Sequence, residues 1–170
     1  MTYKLLVLEG MTERGQAVLD AEGWTIHQKK AMPPAELAQI IGEYDAVTIR
    51  SGTKVTAEVI AAAKKLRVIG RPGVGVDNVD VAAATKAGIF VMNSPGGNLV
   101  STCELTMALL LACSRGIAAA DASLKGGTWD RKAFAGGAEI HGQRIRTGGF
   151  GRIGREVAAR CKAFGMEVWA

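Results

Sequence analysis

Short apolar runs alternate with helical patterns of apolar spacing along the first half of the chain. Strands are predicted at residues 4–8, 24–27, 46–49, 67–70 and 89–92, and helices at 12–21, 33–41, 56–65 and 79–87. Thr12, Pro33 and Thr56 mark helix starts, because hydroxyl side chains and proline suit that end of a helix. Alternating strands and helices are typical of a parallel sheet with helices on both faces. The pattern predicts an α/β fold of the flavodoxin-like or Rossmann-like type.

The pattern changes at residues 93–100, where proline and glycine interrupt it. A single long helix is predicted from about residue 100 to residue 124, and its middle, residues 105–113, is apolar on nearly every side. Such a helix must be covered on most of its surface. A polar, glycine-containing connector follows, and a second strand–helix–strand unit begins after Gly142. We therefore predict two domains, residues 1–98 and residues 99–170.

Three glycines near the end of the chain have the spacing of a dinucleotide-binding turn: Gly149, Gly151 and Gly154. The spacing alone is weak evidence, but the following residues have clear helical periodicity. The first glycine permits a tight turn, the second lets a pyrophosphate approach the backbone, and the third lets the helix pack on the strand. Free N–H groups at the helix N-terminus favour phosphate binding, and Arg152 adds a cation.

The strand before these glycines contains two charged residues, Arg144 and Arg146, on either side of Ile145. Leaving a charge buried and unpaired costs several kcal/mol. Burying one large apolar side chain gains only about 1.5–3 kcal/mol. We therefore expect both arginines to keep their charged ends in water, or the strand to be distorted.

Composition and charge narrow the classes of partner. The net charge is +5, but the cations are scattered, so no nucleic-acid-binding surface is expected. The apolar run at residues 105–113 is too short to span a bilayer, so no membrane partner is expected. Cys103, Cys113 and Cys161 lack CxxC spacing, which favours reduced, buried thiols in a cytoplasmic protein and no metal site.

A second glycine-containing loop, Gly73–Val74–Gly75, follows a predicted strand. Glycine lets a ligand approach the main chain closely. The carboxyl ends of parallel strands are also where ligands bind in open α/β sheets. A plain tight turn at these glycines, and a surface cation at Arg50, are the simpler alternatives. Three polar residues downstream are interpreted as helix N-terminal capping residues: Asp77, Asn78 and Asp80.

Four stretches of the sequence together resemble the D-isomer-specific 2-hydroxyacid dehydrogenase family. They are Arg50–Thr56, Gly70–Asp80, Asn93–Asn98 and Gly149–Gly154. The resemblance implies a flavodoxin-like substrate-binding domain, a helix that crosses between domains, and the truncated start of a Rossmann NAD-binding domain. The implied partners are NAD and a small anionic 2-hydroxy acid or 2-oxo acid, with a homo-oligomer in the full-length form.

The same resemblance implies roles for individual residues. Substrate-binding positions are Arg50, Ser51, Gly52, Gly73, Val74, Gly75 and Asn98. Cofactor-binding positions are Val74, Thr102, Gly149, Gly151, Arg152, Ile153 and Gly154. Pro72 and the arginines of the strand before the glycine turn depart from the family pattern. Glu167 comes too early to be the acid that holds the ribose, so the choice between NAD and NADP stays open.

The family's catalytic Arg, Glu and His have no counterpart in these 170 residues. We therefore expect no catalytic residue here, and no dehydrogenase activity from the chain alone. The alternative is a non-catalytic binding module, either a relative of corepressor type or a dominant-negative subunit that pairs through the apolar helix.

Overall fold

The computed structural model describes residues 2–170, which form two compact units, residues 2–97 and Asn98–Ala170. In the first unit, strands and helices alternate. The strands are β1 (Lys4–Leu8), β2 (Thr25–Lys29), β3 (Ala46–Thr48), β4 (Val68–Arg71) and β5 (Phe90–Asn93). The helices are α1 (Glu13–Ala21), α2 (Pro34–Ile40), α3 (Ala57–Ala62) and α4 (Val81–Lys86), with a 3₁₀ turn at Ile41–Glu43.

All five strands are parallel, in the order β2-β1-β3-β4-β5. This is the flavodoxin-like order, and it confirms the predicted α/β fold. Helix α3 ends at Ala62, three residues before the predicted end, and β2 starts one residue after the predicted start.

The two faces of the sheet are covered differently. One face carries the larger core, in which Leu6, Val47 and Ile69 pack with buried residues of α2, α3 and α4. The opposite face carries a smaller cluster, in which Leu5, Val7 and Ala46 pack with Leu19 of α1. Each large side chain buried this way contributes about 1.5–3 kcal/mol, so the first face dominates the stability of this unit.

The second unit contains α5 (Leu99–Ser114), α6 (Ile117–Lys125), β6 (Arg144–Arg146), α7 (Arg152–Ala163) and β7 (Glu167–Trp169). Strands β6 and β7 pair in parallel, and α7 connects them. Its core is rich in sulfur, because Cys103 and Met107 of α5 pack against Cys161 of α7. Burial, and then the neighbouring Cys103, raise the pKa of the Cys161 thiol, which favours the neutral form of Cys161.

The prediction of one helix over residues 100–124 is wrong. The chain bends by 69° between α5 and α6, and Gly116 adopts a left-handed conformation with φ 61° at the break. Apolar spacing continues through this break, so periodicity does not reveal it. Within residues 2–170, no single helix is both long and apolar enough to cross a membrane, although the bent pair has the required length and composition.

Helix α5 is less buried than its apolar sequence predicts. Only Cys103 and Met107 of this helix are buried, whereas Leu105 and Leu109 are 60% and 56% exposed. The expectation that all three thiols are buried is wrong for Cys113, which is exposed at the end of α5. By contrast, Arg144 and Arg146 are exposed on β6 while Ile145 is half-buried, which confirms the expectation for that strand.

Of the three predicted capping residues, only Asp80 caps a helix. Its Oδ1 accepts a hydrogen bond of 2.9 Å from the N–H of Ala83 in the first turn of α4. Asn78 is buried and bonds a distant loop, and the Asp77 side chain is 86% exposed, 4.0 Å from Arg71. Capping is therefore wrong for Asp77 and Asn78.

The Asp80→Ala variant should lower the free energy of unfolding by about 1 kcal/mol, because the N–H of Ala83 loses its acceptor. The matched Asp77→Ala variant should change it by less than about 0.5 kcal/mol, because a long, exposed ion pair contributes little. Urea denaturation of both variants measures the difference. Equal losses would contradict the assignment of the cap to Asp80.

Candidate functional site

A cleft of about 630 Å³ lies at the carboxyl ends of the strands in the first unit. The chain runs outward in opposite directions from β1 and β3, so the order of the strands reverses between these two neighbours. Open α/β sheets bind ligands at this kind of position. The lining residues come from the ends of four strands and the segments after them: Glu9, Gly10, Met11, Thr12, Thr48, Arg50, Gly70, Arg71, Pro72, Met92, Asn93 and Ser94.

Glu9 follows β1 and reaches across to the segment after β3. Its Oε2 accepts a hydrogen bond of 2.8 Å from the N–H of Arg50, and its Oε1 one of 2.9 Å from the N–H of Gly52. Burial raises the pKa of this carboxyl, but the backbone hydrogen bonds outweigh that effect and hold the pKa below its usual range. Glu9 is therefore an anion whose charge is already engaged by the backbone.

The backbone of Glu9 is left-handed, with φ 68°, and it is the one non-glycine residue with positive φ among residues 2–170. For a residue with a Cβ, such a conformation costs on the order of 1–3 kcal/mol, and surrounding interactions must hold it in place. The two hydrogen bonds to the loop after β3 are such interactions.

Asn78 also binds this loop, Arg50–Thr53. Its Nδ2 donates to the carbonyl oxygens of Arg50, at 2.7 Å, and of Thr53, at 2.5 Å. Side chains from two distant segments therefore bind both N–H and C=O groups of one short turn. Among the described residues, Ser51 has no hydrogen-bond partner, so this central residue of the turn keeps its polar groups available.

The loop Gly73–Gly75 is also tied to its neighbours. The N–H of Gly73 donates to the carbonyl oxygen of Arg71 at 2.8 Å, and Asn93 Nδ2 donates to the carbonyl oxygen of Val74 at 2.6 Å. The N–H of Gly73 therefore closes this turn. Val74 is 41% exposed.

Arg71 is the second cation of the cleft, and its side chain is only 13% exposed. Its guanidinium lies against the Gly73–Gly75 loop, and a Cβ at Gly73 would come within 2.6 Å of Nη1. Asp77, the carboxylate near it, is 4.0 Å away, and the buried Nε has no hydrogen-bond partner among residues 2–170. The cleft therefore holds a largely buried, poorly neutralised guanidinium beside the exposed Arg50.

Both histidines lie outside the cleft. His27 Nδ1 is 3.0 Å from the hydroxyl of Tyr44, and the ring of His141 lies against Gly165. Among residues 2–170, no three side chains of His, Cys, Asp or Glu are grouped so that they could hold a metal ion. The two cations that line the cleft, Arg50 and Arg71, favour an anion as its ligand.

In the second unit, the glycine turn leads directly into α7. Gly151 is the N-terminal flanking residue with extended backbone, and the first helical turn starts at Arg152. A Cβ at Gly154 would collide with the carbonyl oxygen of Gly149, so Gly154 has to be glycine for the helix to approach the turn. A Cβ at Gly149 or Gly151 would meet no atom within 4 Å, and neither residue has positive φ.

Asn98 and Thr102 lie together at the start of α5. The N–H of Thr102 donates to the carbonyl oxygen of Asn98 at 3.0 Å, and the Thr102 carbonyl accepts from the hydroxyl of Thr106. The predicted site residues thus fall into two groups. Those up to Gly75 lie at the carboxyl edge of the sheet in the first unit, and those from Asn98 onward lie in the second.

Two residues of the cleft, Glu9 and Arg71, are absent from the predicted site. A positional signal marks both, since Glu9 follows β1 and Arg71 ends β4, at the edge where α/β sheets bind ligands. The partners of Glu9, however, are 41 and 43 residues away in the sequence.

Comparison with known proteins supports this picture. The model of the D-isomer specific 2-hydroxyacid dehydrogenase catalytic domain matches residues 5–166. A D-3-phosphoglycerate dehydrogenase of Archaeoglobus fulgidus is 48% identical over 167 residues, covering 98% of this chain and 32% of the relative. The chain thus spans about a third of the length of the curated relatives it matches.

Solved structures agree with the sequence relatives. The TT0316 protein of Thermus thermophilus superposes with a TM-score of 0.87 at 32% identity, over 97% of this chain and 54% of that one. An NAD+-bound 3-phosphoglycerate dehydrogenase of Entamoeba histolytica superposes with a TM-score of 0.73 at 25% identity, over 99% of this chain and 53% of that one. These matches confirm the resemblance found in the motifs. The chain therefore belongs to the D-isomer specific 2-hydroxyacid dehydrogenase family.

Proposed function

We propose that this chain supplies the acid-binding cleft and the pyrophosphate-binding turn of an NAD-dependent 2-hydroxyacid dehydrogenase that acts on 3-phosphoglycerate in serine synthesis. The observation that carries the proposal is the pair of cations, Arg50 and Arg71, on a cleft whose lining carboxylate, Glu9, is engaged by backbone N–H groups. A small, multiply charged acid matches this surplus of positive charge. Family membership supports the broader class of oxidoreductase.

Within the cleft, we assign acid binding to the side chain of Arg50, to Ser51, and to the N–H groups of Val74 and Gly75. Gly52 and Gly73 shape their turns, and Asn98 belongs to the same proposed set through the family resemblance. Arg71 joins the set because its Nε lacks a partner among the described residues. A guanidinium binds carboxylate or phosphate oxygens through two parallel hydrogen bonds, which suits this class of ligand.

The glycine turn fits the dinucleotide that the family uses. Neither packing nor backbone conformation requires glycine at Gly149 and Gly151, so close approach of a ligand is the reason that remains. We assign the pyrophosphate to this turn and to the N–H groups of Arg152 and Ile153. Through the family resemblance, Val74 and Thr102 are further proposed cofactor-binding residues, Thr102 for the nicotinamide end. When bound, NAD supplies the acceptor for the hydride of the 2-hydroxy acid.

Proton transfer has no candidate group among the described residues of this cleft. The two histidines lie elsewhere, and Glu9 is held as an anion by the loop. General acid–base catalysis typically contributes ~10²–10⁴-fold. We therefore propose that these 170 residues bind the acid without turning it over, in the cytoplasm, where free cysteines such as Cys103 stay reduced.

A second candidate function is subunit pairing, favoured by the exposed apolar surface of α5. Val100, Leu105 and Leu109 are all at least half exposed on this helix. Leu105 and Leu109 are four residues apart and therefore share one face of the helix, and exposed apolar surface of this kind marks interaction sites. A second copy of the chain, or of a longer subunit that the chain would inactivate, is the partner we propose.

Calorimetric titration with 3-phosphoglycerate tests the acid-binding proposal. The Arg71→Gln variant should weaken binding about tenfold or more, because a charge-assisted hydrogen bond is lost. The matched control Lys64→Gln removes an exposed charge of the same unit and should change binding little.

NADH formation from NAD and 3-phosphoglycerate should stay at background. Equal binding by both variants contradicts the acid site, and turnover above background contradicts the inactivity of the chain.

Two glycine variants separate ligand-related from packing-related glycines. Gly154→Ala should lower the free energy of unfolding by about 1–3 kcal/mol, because overpacking against a backbone carbonyl strains the turn. Gly149→Ala should leave stability nearly unchanged but reduce the shifts that millimolar NAD causes in the amide NMR signals of residues 149–153. An unmodified chain whose signals do not respond to NAD counts against the cofactor assignment.

Analytical ultracentrifugation tests the pairing of subunits. The unmodified chain should associate with rising concentration, and Leu105→Glu should shift the equilibrium to monomer, because a charge on this face must be desolvated. Val18→Glu alters an equally exposed apolar residue of α1 and should leave association unchanged. A monomeric unmodified chain at all concentrations overturns this candidate.

A further inference from the structure

We propose that Glu9 is a positioning residue for acid binding, and that Gly52 is glycine so that the Glu9 carboxylate can hold the loop after β3 in its binding shape. The inference rests on the proposed function, because it concerns the same cleft. It assigns a role to a pair of residues that come from different strand ends. Neither residue is argued to contact the reacting atoms.

The contacts of Glu9 define the shape of the loop. Its two carboxylate oxygens bind the N–H groups of Arg50 and Gly52, at 2.8 and 2.9 Å, and so bracket Ser51 from both sides. Because the N–H groups of residues 50 and 52 both donate to one carboxylate, the backbone between them is held in a tight turn. The turn in turn fixes where the side chain of Arg50 leaves the backbone and which polar groups of Ser51 remain for a ligand.

Both oxygens of Glu9 act as acceptors, which suits the ionised carboxylate because it carries no O–H donor. A glutamine in this place would direct an NH₂ group at one of the two N–H donors. The left-handed backbone of Glu9 is the second sign that the arrangement is held by specific contacts, because side-chain-bearing residues rarely adopt it. An outlier of this kind at a ligand cleft supports a role in the site.

Gly52 leaves the space that the carboxylate occupies. A Cβ at position 52 would lie 2.5 Å from Glu9 Oε1 and 3.3 Å from its Cδ. Any larger residue at 52 must push the carboxylate away from the two amides. An aspartate at position 9 would withdraw the carboxylate by one methylene, about 1.5 Å, and make room for that Cβ. The structure therefore predicts energetic coupling between positions 9 and 52.

A double-mutant cycle on the 170-residue chain tests the proposal, with the variants Glu9→Gln, Glu9→Asp, Gly52→Ala and the double variant Glu9→Asp/Gly52→Ala. Glu22→Gln, which neutralises an exposed carboxylate after α1, is the control. Hydrogen exchange of the Arg50 and Gly52 amides reports the loop without ligand. Calorimetric titration with 3-phosphoglycerate reports its function.

We expect Glu9→Gln and Gly52→Ala each to lower the hydrogen-exchange protection of both amides by about tenfold. Each variant should also weaken acid binding by about tenfold, which corresponds to the loss of one to two net hydrogen bonds. Gly52→Ala should cost less in the Glu9→Asp background than in the unmodified chain, so that the double variant recovers part of both readouts relative to Gly52→Ala, whereas Glu22→Gln should change neither readout. Recovery through a second substitution is not expected if each variant merely loosens the fold.

Failure of the proposed acid binding and failure of the positioning role of Glu9 give different results. If the unmodified chain binds no 3-phosphoglycerate, the proposed function fails and the positioning role fails with it. If the acid binds and its affinity is insensitive to Glu9→Gln and Gly52→Ala, the positioning role alone is overturned. Unchanged amide protection in Glu9→Gln, or a double variant no better than Gly52→Ala, also overturns it.

Discussion

The carboxylate of Glu9 bound to the N–H groups of Arg50 and Gly52 is the interaction on which the rest of the cleft depends. Two arginines, Arg50 and Arg71, outnumber this one carboxylate in the lining of the cleft, which leaves a surplus of positive charge. The backbone N–H groups hold the Glu9 oxygens on the loop after β3. One hydrogen-bonded carboxylate thus links the geometry of a turn to the charge distribution of the proposed site.

Glycines serve different purposes in the two units, and their surroundings tell them apart. Gly52 and Gly154 are required by the chain itself, because a Cβ would meet the Glu9 carboxylate or the Gly149 carbonyl. Gly149 and Gly151 face open space. A motif of spaced glycines therefore combines a packing position with positions around which the surrounding atoms leave space, and the two kinds should respond differently to substitution.

Much of the fold follows from local patterns. The five strands, the caps at Thr12 and Thr56 and the helix after the glycine turn are all set by neighbouring residues, and each lies within a few positions of its prediction. Local pattern failed where two conformations share the same periodicity. The break at Gly116 interrupts a continuous apolar spacing, and the capping motif at residues 77–80 contains three suitable side chains of which one caps.

The sequence by itself determined the α/β fold, the strand ends that line the cleft, the glycine turn and the family, since these depend on residues close together in the chain. Only the tertiary structure decided the roles of Glu9, Asn78 and Arg71. The partners of Glu9 and Asn78 all lie in the loop after β3. They are 41 and 43 residues away from Glu9, and 28 and 25 residues away from Asn78. The physical reason is that a parallel sheet brings together the carboxyl ends of strands that the chain separates by whole helices.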